Sequence, residues 1–236
     1  LRAIPPVANQ VFGYSSSNGK GDDSVAIASP YPAIEYYAYN DYGLLAVGVQ
    51  NGAKATDLNG AKNLYAVLKC WLASKGAFDG SSISVAGLTG TDTKLNAVST
   101  NAATGIVTPA SESENKFWRV GPALNIRYGS GTDFQIAYFK GNDDNWTLAA
   151  PGAEKTEVDF DGLSVILGQW LCDRWWGALQ YDRVNSDDNA ADFEKATVAV
   201  YFFPRENLRI GLIGRVDLDD VGEDVNEASL AIRTMF

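Results

Sequence analysis

Strict alternation of two kinds of side chain over long stretches is the feature that most restricts how this chain can fold. In the segment 226–236, one face would carry Ala228, Leu230, Ile232, Thr234 and Phe236, and the other Glu227, Ser229, Ala231, Arg233 and Met235. A period of two residues indicates a β-strand whose two faces meet different surroundings. Such a strand is longer than the roughly five or six residues typical of soluble proteins.

The same pattern recurs along the chain, and it predicts twelve strands at roughly 7–14, 33–39, 42–50, 62–72, 82–90, 117–128, 133–141, 157–171, 175–184, 193–203, 208–218 and 226–236. The segment 62–72 also has helical spacing, because its apolar residues include Leu64, Val67, Leu68, Trp71 and Leu72. We predict a strand there, since a helix would leave an odd number of strands and break the order of the connections.

The connections between these segments are alternately short and long. Short links fall at 40–41, 130–132, 172–174 and 204–207, and long polar ones at 15–32, 51–61, 91–116, 142–156, 185–192 and 219–225. Membrane β-barrels have this arrangement, with tight turns on the periplasmic side and long loops on the extracellular side. We therefore predict an all-β fold, an antiparallel transmembrane β-barrel with about twelve strands visible, as one domain over residues 1–236.

Composition excludes several other classes of protein. The net charge of -10 disfavours nucleic-acid binding, and the absence of histidine removes Ser-His-Asp catalysis and histidine metal ligation. The apolar runs are far shorter than the roughly 18 residues of a membrane helix. Only a carboxylate pair could support a barrel enzyme, and no spacing selects one. We expect no enzyme, no cofactor and no metal site, and, because the chain begins at Leu1 without a leader, a processed protein or a fragment.

Strand parity divides the charged and aromatic residues between two faces. We predict that the lumen is lined by Arg119, Asn125, Arg127, Arg209, Arg215, Asp217 and Arg233. These side chains would either set a field that tunes ion preference or fill and rigidify a narrow lumen, and both readings stay open. On the outer face, an aromatic girdle at the lipid headgroups is predicted from Trp118, Tyr128, Tyr138, Trp175 and Tyr181. The loop 91–116 is either a constriction folded into the mouth or a surface loop.

The last residues of the chain resemble a known C-terminal sequence signal. Leu230, Ile232 and the terminal Phe236 resemble the C-terminal signal that the barrel assembly machinery recognises, and the stretch 201–212 looks like the closing hairpins of large bacterial porins. The chain thus resembles a Gram-negative outer-membrane porin-type β-barrel, and it could be the C-terminal part of a larger one. The resemblance implies a location in the bacterial outer membrane and contacts with lipid, lipopolysaccharide and the assembly machinery. A homo-oligomer and a periplasmic or extracellular partner stay open.

The predicted function is therefore an outer-membrane porin that lets ions or small solutes pass. One alternative is a conduit or scaffold barrel that sheaths a partner such as a multihaem cytochrome, although the chain has no C-x-x-C-H haem-attachment motif. The other is a soluble all-β ligand-binding domain of the carbohydrate-binding type. In that case the apolar face would pack against a second sheet.

Overall fold

The computed structural model describes residues 33–50, 62–72, 75–96, 99–100, 107–108, 111–129, 131–145, 154–155, 157–187, 192–205, 208–218 and 227–234. Their strands, in chain order, are β1 (Ala33–Tyr39), β2 (Gly43–Gln50), β3 (Asn63–Trp71), β4 (Ser82–Asn96), β5 (Ser99–Thr100), β6 (Val107–Thr108), β7 (Ser111–Tyr128), β8 (Thr132–Asp143), β9 (Val158–Cys172), β10 (Trp175–Ser186), β11 (Phe193–Arg205), β12 (Leu208–Asp217) and β13 (Glu227–Thr234). The predicted strand 7–14 lies outside the described residues.

Eleven of these strands form one antiparallel sheet in which each strand pairs with its neighbours in sequence. The short hairpin β5–β6 is separate, so β4 pairs directly with β7. Within the described residues, β1 and β13 each pair with one strand, and the sheet is not closed. This single antiparallel sheet agrees with the predicted barrel fold, and closure of the sheet stays a prediction. It does not match the carbohydrate-binding sandwich, which needs two sheets packed face to face.

The ambiguous segment 62–72 forms β3, which confirms the predicted strand. It pairs with β2 on one side and β4 on the other, and these two backbone ladders outweigh its weak helical spacing. Within the described part of the chain, no helix has the length and apolarity that crossing a membrane would require.

Several strands extend further than the alternation predicted. In the region predicted as the loop 91–116, Thr91–Asn96 pair residue by residue with Ser111–Lys116, so much of that loop is an extension of β4 and β7. Likewise Asn142 and Asp143 belong to β8. These extensions are polar, so the hydrophobic period is lost while backbone pairing continues. Beyond the apolar layer, the two strands of a hairpin can continue their backbone hydrogen bonds although neither face is apolar.

Register places the apolar side chains of successive strands side by side. Leu45 lies opposite Leu68, and Leu68 opposite Val85; farther along the sheet, Leu179 lies between Leu167 and Val198. We call this surface the apolar face. Its large side chains, each between 40 and 83% exposed, include Ile34, Tyr36, Leu45, Val47, Val49, Leu64, Leu68, Ile83, Val85, Trp118, Val120, Tyr128, Tyr138, Leu167, Trp175, Leu179, Val198, Leu212, Val216, Leu230 and Ile232.

The opposite surface, which we call the polar face, pairs glycines with aromatic rings. Phe139 lies opposite Gly162, and Phe160 lies opposite Gly141, and a Cβ atom at either glycine would overlap the facing ring. Gly211 lies in the same way under Tyr201. Glycine leaves a gap in the pleated surface, and an aromatic ring on the neighbouring strand covers it. The rings therefore fill the space that the glycines leave open.

The glycine pairs lead to a stability prediction. We expect Gly162→Val to lower the free energy of unfolding by about 1–3 kcal/mol, because the added methyl groups would displace the Phe139 ring. Gly214→Val is the matched control, since a Cβ there meets nothing within 4 Å. Urea unfolding of both variants in the same detergent micelles measures the difference. Equal effects at the two positions would contradict the account.

Candidate functional site

The polar face brings together the residues predicted to line a lumen. In β7, Arg119, Asn125 and Arg127 occupy positions of the same parity. In β12, the same holds for Arg209, Arg215 and Asp217. Arg233 of β13 pairs with Arg209 of β12. Register places the side chains of β7 and β12 in this set on the surface opposite the apolar face. That this surface lines water stays a prediction. The structure shows the partners of these and neighbouring polar side chains. They form three polar clusters that differ in burial.

The first cluster lies toward the long-loop ends of β7 and β8. Arg119 and Asp143 are 3% and 1% exposed, and a guanidinium nitrogen of Arg119 lies 3.1 Å from a carboxylate oxygen of Asp143. Asn115 donates to the same carboxylate at 2.6 Å. The guanidinium also lies over the rings of Phe117 and Phe160, with distances of 4.8 and 5.4 Å to their centroids. This ion pair is enclosed by protein, so it braces two strands.

The second cluster surrounds Asp182 in β10, which is fully buried. Its two carboxylate oxygens accept hydrogen bonds from the hydroxyl of Ser164 and the amide of Gln180, both at 2.6 Å. Lys195 lies opposite Asp182 in the next strand, and Asp217 lies opposite Lys195. Charges of alternating sign thus follow one row across β10, β11 and β12. Opposite charges that face each other across neighbouring strands attract and so stabilise the pairing of these strands.

The third cluster borders open space. A recess of about 200 Å³ on the polar face is lined by small residues of β4, β7 and β8, and its polar lining includes Lys69, Ser84, Asn125, Gln135 and Ser164. At its short-turn side, Asp133 accepts hydrogen bonds from Asn125 at 3.2 Å and from Gln135 at 2.9 Å.

Arg127 completes this third cluster. Its Nε lies 3.9 Å from Asp133, and its side chain is 43% exposed. The pairing is therefore loose and solvated, unlike that of the enclosed Arg119. Of these two arginines of β7, only Arg127 is open to solvent.

An aromatic cluster on the polar face was not predicted. Near the short-turn ends of β9, β10 and β11, Trp176 and Tyr201 are buried, with Trp170 and Phe203 packed against them. Arg209 lies over the Tyr201 ring at 4.8 Å from its centroid. The signal was present in the sequence: Trp176 follows Trp175 and must point to the opposite face. This side of the polar face is filled, whereas the recess beside Lys69 is open.

The predicted girdle residues all lie on the apolar face. Trp118, Tyr128, Tyr138 and Trp175 are 40 to 56% exposed there. Tyr181 is partly buried, and its hydroxyl donates to Glu194 at 2.9 Å. Their place at the lipid headgroups stays a prediction. Of the predicted assembly signal, Leu230 and Ile232 are exposed on the apolar face at 70 and 66%, and Phe236 lies outside the described residues.

Comparison with known proteins shows relatives of the fold alone. No family model matches the chain, and no curated protein matches its sequence. Among solved structures, it is similar to OmpT (in-vitro folded), an outer membrane protein of Vibrio cholerae, with 14% identity and a TM-score of 0.55 over 95% of this chain and 67% of that one. It is also similar to outer-membrane expressed OmpT of Vibrio cholerae, with 12% identity and a TM-score of 0.53 over 86% of this chain and 64% of that one.

The chain has the fold of an outer-membrane β-barrel, as the sequence predicted, and it spans about two thirds of the length of these structures. The fold also agrees with the predicted location in the bacterial outer membrane. One expectation is corrected. The solved structures carry the name OmpT, a name also used for an outer-membrane protease, so the prediction that the chain is no enzyme is dropped. The absence of histidine excludes Ser-His-Asp catalysis, but it does not exclude catalysis by a pair of carboxylates.

Proposed function

We propose that this chain forms, alone or as part of a larger barrel, an outer-membrane channel for the passive passage of ions or small solutes. The observation that carries the proposal is the separation of the two faces. The apolar face exposes large side chains on successive strands, while the opposite face holds ion pairs and hydrogen-bonded clusters. An exposed apolar surface of this extent is unstable in water and matches hydrocarbon.

Strand dimensions support a membrane location. β8 and β10 have 12 residues each. At about 3.3 Å per residue and a tilt of about 40°, such strands span roughly 25–30 Å, which matches the apolar band of a membrane barrel. The ladders between neighbouring strands satisfy the backbone N–H and C=O groups of the inner strands, as hydrocarbon demands, and closure of the barrel would satisfy those at the outer edges of β1 and β13.

The recess beside Lys69 supports a path for water. More than eight strands enclose more space than side chains fill, and the eleven-stranded sheet exceeds that number. The side chains of Ala123 and Ala137, which border this recess, are small. Lys69 and Arg127 would give the path local positive charge, with Asp133 as the counter-charge.

Ion selectivity tests the proposal. In planar bilayers, Lys69→Glu/Arg127→Glu is expected to shift the reversal potential in a salt gradient toward cation selectivity, because two positive charges on the path become negative. Lys140→Glu/Lys155→Glu changes the net charge equally, and should leave the reversal potential near that of the wild type. Lys140 lies on the apolar face near the long loops and Lys155 lies in the connection between β8 and β9, so neither belongs to the recess. A folded, inserted protein that carries no current, or a recess variant with unchanged selectivity, would refute the channel.

The two cysteines, both exposed, test the orientation of the sheet. Cys172 ends β9 at a short turn, and Cys70 lies in β3 next to Gly43 on the apolar face. In Gram-negative cells that produce the protein, we expect a large polyethylene-glycol maleimide to label Cys172 only after the outer membrane is opened. Cys70 should react only after unfolding in detergent. Labelling of either cysteine in intact cells would contradict the predicted orientation.

A further inference from the structure

The recess on the polar face has a lysine ammonium at one end. The ammonium of Lys69 lies 4.6 Å from the centroid of the Trp71 ring, a cation–π contact that draws the side chain toward the short-turn side. In the part of the chain that the structure describes, none of the ion pairs includes Lys69. The recess therefore offers a positive charge that an anionic ligand can neutralise.

Two amide side chains that line the recess offer hydrogen-bond acceptors. Asn125 and Gln135 both donate to Asp133, at 3.2 and 2.9 Å. A carboxylate only accepts hydrogen bonds, so the NH₂ group of each amide must face Asp133, and the carbonyl oxygen is at the other end of the amide. No donor among the described residues reaches these two carbonyl oxygens. A hydroxyl group of a ligand can therefore donate to them.

Ser82 adds a buried hydroxyl group to the lining of the recess. Ser82 is 3% exposed, and register places it between Trp71 and Asn125. Its hydroxyl makes no hydrogen bond to any other residue that the structure describes. A buried polar group without a partner costs free energy, and a ligand that bonds to it removes that cost. This hydroxyl is thus a second feature of the recess that calls for a polar ligand.

The size of the recess limits the size of the ligand. Its volume of about 200 Å³ equals that of about seven water molecules, at roughly 30 Å³ each. Lys69 and Asn125 lie on either side of β4, so their backbones are about 10 Å apart. A molecule of about three or four carbon atoms fits between the lysine and the amides, and a longer one would extend out of the recess.

We propose that the recess binds a short hydroxylated carboxylate, with its carboxylate on Lys69 and its hydroxyl groups on Asn125 and Gln135. The ammonium alone would accept any small anion. The two carbonyl oxygens disfavour an anion that has no hydrogen to donate, and they favour one that carries hydroxyl groups. The site rests on the proposed function, because it lies on the path assigned to the solute, and it names the class of that solute.

Binding of D-glycerate, which has one carboxylate and two hydroxyl groups, tests the site. Isothermal titration calorimetry of the folded protein in detergent micelles compares glycerate with propionate, which lacks the hydroxyl groups, and with glycerol, which lacks the charge. Glycerate should bind at least about tenfold more tightly than either compound, because only glycerate satisfies both the ammonium and the amides. Equal affinity for propionate, or no binding of glycerate, would overturn the site.

Two variants and a control place the binding in the recess. Lys69→Gln should bind glycerate about tenfold more weakly, from the loss of a charge-assisted hydrogen bond. Ala137→Leu should also weaken binding, because it fills the recess and leaves Lys69 in place. Lys75→Gln removes an exposed positive charge in the connection between β3 and β4, and it should bind glycerate as the wild type does. Wild-type affinity in either recess variant would contradict the proposal.

Calorimetry in micelles does not depend on conduction, so the two proposals can fail separately. A protein that conducts ions in planar bilayers and does not bind glycerate disproves only the site. A folded, inserted protein that binds glycerate and carries no current disproves the channel and leaves the binding site in place.

Discussion

Arg119→Met is expected to lower the free energy of unfolding by about 3–5 kcal/mol. The change removes the buried guanidinium and leaves the carboxylate of Asp143, which is 1% exposed, with Asn115 as its remaining partner among the hydrogen bonds described above. A buried charge that loses its counter-ion keeps its desolvation cost without compensation. Urea unfolding in detergent micelles, followed by tryptophan fluorescence, measures the loss.

Two further variants make this prediction specific. Arg127→Met breaks the exposed pair with Asp133, so its cost should stay below about 1 kcal/mol. Arg119→Met/Asp143→Leu removes both charges, and should recover much of the stability that the single variant loses, because an apolar pair of similar volume avoids the desolvation cost. Similar losses for Arg119→Met and Arg127→Met would show that the ion pair is not enclosed as described.

Leu179→Arg on the apolar face is expected to cost about 2–4 kcal/mol when the protein is folded in lipid vesicles. Leu179 is 55% exposed and lies between Leu167 and Val198, and its neighbours on the apolar face of β10 are Gly177 and Tyr181. In water, such an exposed position would accept arginine with little effect. In hydrocarbon, the charge must be desolvated or must draw water inward.

Depth dependence provides the control for Leu179→Arg. Leu171→Arg places the same charge on a leucine that is 64% exposed near the short-turn end of the neighbouring strand β9, where the cost should fall to about 0–1 kcal/mol. Folding titrations with urea in vesicles of one lipid measure both variants. Equal costs at the two positions, or no cost at Leu179, would mean that the exposed face does not contact hydrocarbon.

The faces of the sheet could be predicted from the sequence because a period of two is a local property. Arg119, Arg127 and Arg215 were assigned to one face, and register places them there across strands far apart in the sequence. The choice of a strand over a helix at 62–72 needed the order of short and long connections. Local spacing was ambiguous there, and pairing with β2 and β4 decides it.

The burial and the partners of each polar residue could not be predicted from the sequence in the same way. Arg119 and Arg127 look alike in sequence, yet the first is enclosed by two phenylalanine rings and the second is half exposed. The difference comes from Phe160 and Asp143, which other strands supply.

A collision-accessibility measurement in lipid vesicles tests the central claim most directly. In a variant with Cys70 and Cys172 replaced by serine, a nitroxide is attached in turn at Leu167, Leu179 and Leu212 on the apolar face, and at Gln135 and Ala137 beside the recess. We predict frequent collisions with oxygen and few with a water-soluble nickel chelate at the first three positions, and the reverse order at the other two. Labels at Leu167, Leu179 and Leu212 that oxygen does not reach, or that the nickel chelate does, would show that this face meets protein or water instead of hydrocarbon.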